Sequence, residues 1–254
     1  MSTDWLRPTW PAPANVAAVS TSRAGGYSAA PFDTLNLGDH VGDDAAAVQR
    51  NREQLIRSSP GLAAISWLQQ VHGTAVVEAE AAGVALADAQ FSREPGLGCA
   101  VMTADCLPVL FCDRAGTQVA AAHAGWRGLC AGVLEATVAT FADATQVMAW
   151  LGPAIGPTQF EVGAEVREQF MAAASPAQRP STAACFTPAN RSGHFLADIY
   201  ALARQRLHNV GISAIYGGEL CTVTEEERFF SYRREGVTGR MASLIYLIET
   251  DASA

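Results

Sequence analysis

The stretch Thr103–Gly128 reads TADCLPVLFCDRAGTQVAAAHAGWRG. It holds two apolar runs joined by Asp113-Arg114-Ala115-Gly116, turn-forming residues between segments rich in Val, Leu, Phe and Ala. That pattern predicts two paired strands with a loop between them. Cys106 precedes the first run and His123 closes the second, so pairing would set a thiol and an imidazole at the same end. The segment before it, Cys99–Cys106, is almost as apolar as Leu107–Asp113, as expected of strands covered on both faces. Pro108, which has no N–H to give a ladder, argues against one uninterrupted central strand through both.

Upstream, Asn15–Ser22 reads as a strand that runs into the turn Arg23-Ala24-Gly25-Gly26. Pro31–Asp44 is loop-like, with Asn36, Asp39, His40 and Asp43 among glycines, and Asp44 is placed to cap a helix over Ala45–Ser59. Ile65–Gln70 alternates as a strand and ends in Val71-His72-Gly73-Thr74, which puts His72 at a strand-to-turn junction; Ala75–Glu80 is a further strand. Ala81–Gly98 reads as a surface loop with room for a short helix. Downstream, helices are expected over about Leu129–Phe141, Phe160–Ala174 and Phe195–Val210, the last with Gly211 as its stop. Strands are expected at Gln146–Leu151, Ile212–Tyr216 and Ser243–Ile248, and Ser175–Gly193 as an irregular connection. Hairpin-like and crossover-like connections are mixed, unlike the regular alternation of a doubly wound fold.

The chain has 254 residues, 49% hydrophobic and 17% charged, which suits a globular protein with a substantial core. A net charge of −8 argues against a nucleic-acid binder, since neutralising phosphates needs a surplus of Lys and Arg. A few local arginines can still serve a small anion. The start, MSTDWLRPTWPAP, lacks the basic segment and apolar run of a secretory signal, and no stretch is long and apolar enough for a membrane helix. The six cysteines form no CxxC pair. The expectation is a soluble cytoplasmic protein, with a monomer as the working state. No GxGxxG or GxxxxGK[ST] follows a strand, so neither a dinucleotide nor a P-loop site is expected.

His72, Cys106 and His123 each end an apolar strand. One Cys and two His form a known type of catalytic zinc shell, with a fourth position left for water or substrate. The same residues serve a rival, a Cys106 nucleophile with a His as base. Asp105, next to Cys106, is either an orienting partner or a turn residue. Arg23, Arg127, Arg233, Arg234 and Arg240 lie in polar or Gly-rich breaks, where a guanidinium can clamp phosphate or carboxylate.

The motifs QVHGT (Gln70–Thr74), TADCLPVLF (Thr103–Phe111), AAHAGWRG (Ala121–Gly128), LGPAIGPTQFEVG (Leu151–Gly163) and FFSYRREGVTGR (Phe229–Arg240) occur in that order. With TSRAGG and LNLGDHVGDD they closely resemble the YfiH-type family, known variously as laccase-domain or multicopper polyphenol oxidases, purine nucleoside phosphorylases and peptidoglycan editing factors. The resemblance spans nearly the whole chain and is weakest over Ala172–His194. It implies one α/β (α+β) domain over residues 1–254, with mixed β-sheets sandwiched with helices in a four-layer arrangement. It also implies zinc on His72, Cys106 and His123, with copper able to substitute. The implied activity is phosphorolysis of adenosine, inosine, guanosine and 5′-methylthioadenosine, together with adenosine deamination. The alternatives are a hydrolase that removes misincorporated L-serine from a muramic-acid precursor, and a copper-dependent polyphenol oxidase. Five histidines are too few for the roughly ten imidazoles that a four-copper cluster needs. By charge and loop position, Arg23 and Arg233 are candidates for phosphate and Asn36 for the pocket. Deamination would ask Asp105 or Glu161 to shuttle protons.

Overall fold

The computed structural model describes residues 5–249. In chain order its elements are β1 (Val16–Ser20), α1 (Ala45–Arg57), β2 (Ala64–Gln69), β3 (Val76–Glu78), β4 (Val84–Leu86), β5 (Ala89–Ser92), β6 (Leu97–Thr103), β7 (Leu107–Asp113) and β8 (Val119–Ala124). There follow α2 (Trp126–Ala131), α3 (Val133–Val138), β9 (Val147–Leu151), β10 (Glu161–Gly163), α4 (Ala164–Ala173), α5 (Arg179–Ala184), β11 (Phe186–Pro188) and β12 (His194–Ala197). The chain closes with α6 (Ile199–Asn209), β13 (Ala214–Gly217), α7 (Tyr232–Glu235) and β14 (Met241–Leu247). A five-stranded sheet has the order β1-β14-β6-β2-β4, a six-stranded sheet β13-β9-β7-β8-β5-β3, and a small sheet β10-β12-β11.

Period-two alternation explains how the two large sheets stack. Cys99 and Val101 of β6, with Ile245 and Leu247 of β14, meet Leu110 and Cys112 of β7, Val119 and Ala121 of β8 and Trp150 of β9. The opposite face of the first sheet, through Ala100, Leu244 and Tyr246, packs under Leu55 of α1. The opposite face of the second, through Val109, Phe111, Ala122 and Ala149, packs under Leu134 of α3 and Leu202 and Leu207 of α6. Helix, sheet, sheet and helices form four layers, and the fold is mixed α/β as expected. Strands β6 and β7 read as continuous apolar runs because each is covered on both sides.

The Asp113–Gly116 joint is the hairpin turn expected, closed by Thr117 N–H on the Asp113 carboxylate at 2.7 Å and by Gly116 at φ +66°. Cys112 pairs with Val119 and Pro108 with His123, so Cys106 and His123 do stand at one end of the pair. The break between Cys99–Cys106 and Leu107–Asp113 sends β6 and β7 to different sheets. It turns at Asp105, whose φ of +94° is rare for a residue with a side chain.

Five expectations need correction. Ala81–Gly98 is no surface loop, because β4, β5 and the start of β6 lie within it. Its small alanines carry little strand signal, and the buried Gln90 amide ties β5 to the carbonyls of Ser66 and Ala100. Leu129–Phe141 is not one helix, because Gly132 at φ +107° separates α2 from α3. Phe160–Ala174 and Phe195–Val210 each begin with a strand, and in the second Asp198 starts the helix by accepting from Ala201 N–H. Ser175–Gly193 contains α5 and β11. Among the described residues, no helix is long and apolar enough to cross a membrane.

Candidate metal centre

The C-terminal ends of β2, β6 and β8 lie at one edge of the stacked sheets, with the N-terminal ends of β7 and β14. The Gln70 side chain continues the β2–β6 pairing, giving 2.8 Å to Met102 O and taking 2.7 Å from Met102 N. This fixes the root of the turn that carries His72. His72 itself sits at φ +61°, a strained conformation for an imidazole-bearing residue.

What holds that turn is Asp88, fully buried ahead of β5. Its Oδ1 accepts from His72 N (2.9 Å) and its Oδ2 from Val71 N (3.2 Å) and Gly73 N (2.6 Å). The same Oδ1 lies 2.8 Å from Nδ1 of His123. With Nδ1–H donating to this carboxylate, the Nε2 of His123 is left for the centre. Burial alone would raise the Asp88 pKa, but His123 and the backbone N–H groups bring it below the ordinary carboxylate value. One buried carboxylate therefore orients both histidines, a role the sequence reading missed. The only signal in the chain is an acid inside the small-residue run VALADAQF.

The donor atoms of His72, Cys106 and His123 all lie within 4.8 Å of one another. His72 Nε2 stands 3.7 Å from Cys106 Sγ, and the two imidazoles meet edge-on at 74° with ring centres 4.7 Å apart. Ligands at the usual zinc–nitrogen and zinc–sulfur lengths and a tetrahedral angle stand roughly 3.6 Å apart, so the donor set fits zinc. His123 is buried, Cys106 half-buried and His72 exposed, which leaves one side open to a fourth ligand. Gly125 makes the approach possible: a Cβ there would lie 2.7 Å from His72 Cδ2 and 3.0 Å from Cys106 Sγ.

Burial pushes the Cys106 thiol up, but the charge and hydrogen bonds of His123 and His72 outweigh it and bring the thiol to about 6. His123, which burial would lower, is raised to about 9 by Cys106 and Asp88. The group is disposed toward a thiolate beside an imidazolium, and a cation entering would displace the imidazolium proton. Alkylation of Cys106 in metal-free protein should therefore rise around pH 6, not around the ordinary 9. Mass-spectrometric quantification of the Cys106 peptide across pH checks this: burial raises the thiols of Cys99, Cys112, Cys130 and Cys185, and Cys221, which burial would raise but hydrogen bonds from Thr224, Gly156 and Val223 lower, is followed on its own peptide.

The other residues singled out in the sequence lie as follows. The Asp105 carboxylate is fully engaged, accepting from Thr222 Oγ1 (2.6 Å) and Arg233 N (2.7 Å); it fastens α7 to the site instead of standing free as a base. Arg233 lines a cavity beside Cys106, with Nη1 donating to the carbonyls of Gln159 and Glu161. Glu161 contributes that carbonyl, and its side chain lines neither cavity at the centre. Arg23 is also absent from both cavities. It pairs with Glu235 at 2.7 Å, donates to the carbonyls of Asp33 and Glu226, and lies over the Phe230 ring. Asn36 is buried with its amide engaged by Gly38, Asp43 and Arg240 N, so it shapes a loop and does not offer itself to a ligand.

The whole chain is similar to known proteins. A family described as multi-copper polyphenol oxidoreductase laccase matches residues 17–248. The chain is 57% identical to purine nucleoside phosphorylase YfiH of Escherichia coli, over 95% of this chain and 98% of that protein. It is 55% identical to a purine nucleoside phosphorylase of Pseudomonas aeruginosa, over 96% and 98%. A crystal structure of a Neisseria meningitidis protein superposes with a TM-score of 0.91 at 52% identity, covering 97% of this chain and all of the other. YlmD from Geobacillus stearothermophilus superposes at 0.88 with 32% identity, covering 98% of each chain.

Proposed function

Since the chain belongs to the YfiH-type, laccase-like family, we propose that it is a zinc-dependent purine nucleoside phosphorylase. The observation that carries the reading is the convergence of His72, Cys106 and His123 on an open-sided centre, in a chain whose curated relatives bear that name. Its substrates are orthophosphate and the nucleosides adenosine, inosine, guanosine and 5′-methylthioadenosine, with adenosine deamination as a side activity, in the cytoplasm. Zinc on these ligands would supply a Lewis acid toward a substrate oxygen. The chain's own part is positional: Asp88 fixes the tautomer and direction of His123, Gly125 lets His72 and Cys106 close up, and Asp105 anchors α7 beside them. The family description speaks of several coppers, but five histidines in the whole chain limit any copper chemistry to substitution in this one centre.

One observation favours a second reading. Cys106, His123 and Asp88 follow the order nucleophile, base and orienting carboxylate, which suits amide hydrolysis such as removal of L-serine from a muramic-acid precursor. The two part on phosphate. Purified protein given inosine should release hypoxanthine only with orthophosphate present and yield ribose 1-phosphate in equal amount. Base release indifferent to phosphate would contradict the phosphorylase reading, and serine release from the amide would favour the hydrolase.

A further inference from the structure

Two cavities meet at the metal centre and share His72, Ala104, Cys106 and Tyr232 as a common wall. The first, of about 390 Å³, carries Arg240 and His40. The second, of about 260 Å³, is walled by Trp126, Phe160, Ile155 and Ile199, with Arg127 and Arg233. The first adds Gln70 and Thr103 to its polar groups, while the second sets two aromatic rings and two arginines around one space. We propose that the two substrates of the phosphorolysis enter by different cavities: orthophosphate on Arg240, and the purine on Trp126 and Phe160 with Arg127 at its edge. This rests on the phosphorylase reading above.

The reaction demands such a division. The C1′–N9 bond breaks with its electron pair going to the base, a phosphate oxygen bonds to C1′, and the proton of hydrogen phosphate ends on the released purine through solvent. Nucleophile and leaving group lie on opposite faces of C1′, so the ribose must sit between two separate subsites. The shared wall at Cys106 and Tyr232 provides that place.

Arg240 offers an anion a free guanidinium edge in the cavity without the aromatic rings; Arg233 has such an edge too, but stands over Phe160 in the other cavity. Nη1 of Arg240 donates to the carbonyls of Thr238 and Gly239, both at 3.0 Å, while among the described residues its Nε and Nη2 have no acceptor. Two N–H groups on one edge of a guanidinium match two phosphate oxygens. The loop Asn36–His40 is shaped around it. Asn36 Oδ1 accepts from Arg240 N at 2.9 Å, Leu37 N donates to Arg240 O at 3.1 Å, and a Cβ on Gly38 would stand 2.8 Å from Arg240 Cγ. Asn36 is thus a positioning residue acting through Arg240. In the second cavity, aromatic faces suit a stacked base. Arg127 stands 4.4 Å from the Trp126 ring centre and lines the same cavity. A guanidinium can donate to both O6 and N7 of a 6-oxopurine, stabilising the departing base, whereas adenine offers N7 alone.

The test is steady-state phosphorolysis by metal-loaded wild type, Arg240→Gln and Arg127→Gln, with metal content measured for each. Arg240→Gln should raise KM for orthophosphate by about tenfold or more, the scale of a lost charge-assisted pair, and move KM for inosine by less than about twofold. Arg240→Lys should recover part of the loss. Arg127→Gln should raise KM for inosine, leave that for phosphate in place, and harm inosine more than adenosine. Calorimetric titration with inorganic phosphate alone gives a second readout, with binding to wild type and none to Arg240→Gln. Unchanged phosphate KM and binding in Arg240→Gln at full metal content, or an Arg127→Gln effect on phosphate instead of inosine, would overturn the assignment. A wild type without phosphate-dependent base release would sink the underlying reading; phosphate binding lost in Arg240→Gln would then still uphold the anion subsite.

Discussion

A Cys106→Ala variant is expected to lose stoichiometric zinc and phosphorolysis together, the rate falling by about a thousandfold or more. Two imidazoles alone make a weak shell, and losing an electrostatic stabiliser of the reacting centre costs rates on that scale. The fold should survive. Cys106 sits half-buried at the strand end before β7, and a methyl in place of the thiol leaves β7–β8 pairing intact. The metal-free variant loses the Cys106–His123 pair and should be less stable than metal-free wild type by about 1–3 kcal/mol, still unfolding in one cooperative transition. Metal analysis and phosphorolysis on the same preparation check the prediction. Zinc retained at one per chain with activity gone would instead point to Cys106 as a nucleophile.

The second large effect belongs to a residue that touches no substrate. Asp88→Asn keeps the shape of the side chain but cannot keep its four bonds. Oδ1 serves His72 N and His123 Nδ1, and Oδ2 serves Val71 N and Gly73 N. Whichever way the amide faces, its NH₂ meets donors, and either His123 or the strained His72 turn loses its acceptor. Breaking a buried charged pair on one side costs about 3–5 kcal/mol, and losing the carboxylate behind a metal-binding His weakens metal affinity about 10- to 100-fold. Thermal unfolding and competition with a zinc indicator measure the two. The acid response should change as well. Because the folded state holds Asp88 below the ordinary carboxylate value, its contribution is full above that value and is lost as pH falls through the depressed one. Asp88→Asn should lack that part of the wild-type acid loss. Wild-type melting and zinc affinity in this variant would contradict the role given to Asp88.

The difference between Cys106 and Asp88 shows what the chain makes legible. Cys106 and His123 end two apolar runs around a turn, so pairing the runs places both. His72 closes a third run beside a glycine, and the resemblance to a known family gathers all three. The four layers come with that resemblance, and the doubly apolar runs of β6 and β7 show only that each strand is covered on both faces. Asp88 lies in the short bend between β4 and β5, in a run of small residues where alternation is faint, and its meaning lies in three backbone N–H groups that no sequence pattern displays. Arg23 and Asn36 mislead for a related reason. A polar residue in a Gly-rich loop looks the same whether it faces a ligand or braces the loop, and both brace. Arg240 and Arg127 appear in the sequence only as two arginines among several. The loop Asn36–Gly38 shaped around Arg240 and the place of Arg127 against the Trp126 ring, both properties of the folded chain, set them apart.

The most direct measurement strips the purified protein of metal with a chelator and titrates zinc back, following hypoxanthine release from inosine in saturating orthophosphate. Release should be negligible at the start, rise in proportion to zinc and level off at one ion per chain. Full phosphorolysis by the stripped protein, with no metal detectable, would contradict the account of His72, Cys106 and His123 as a working metal centre.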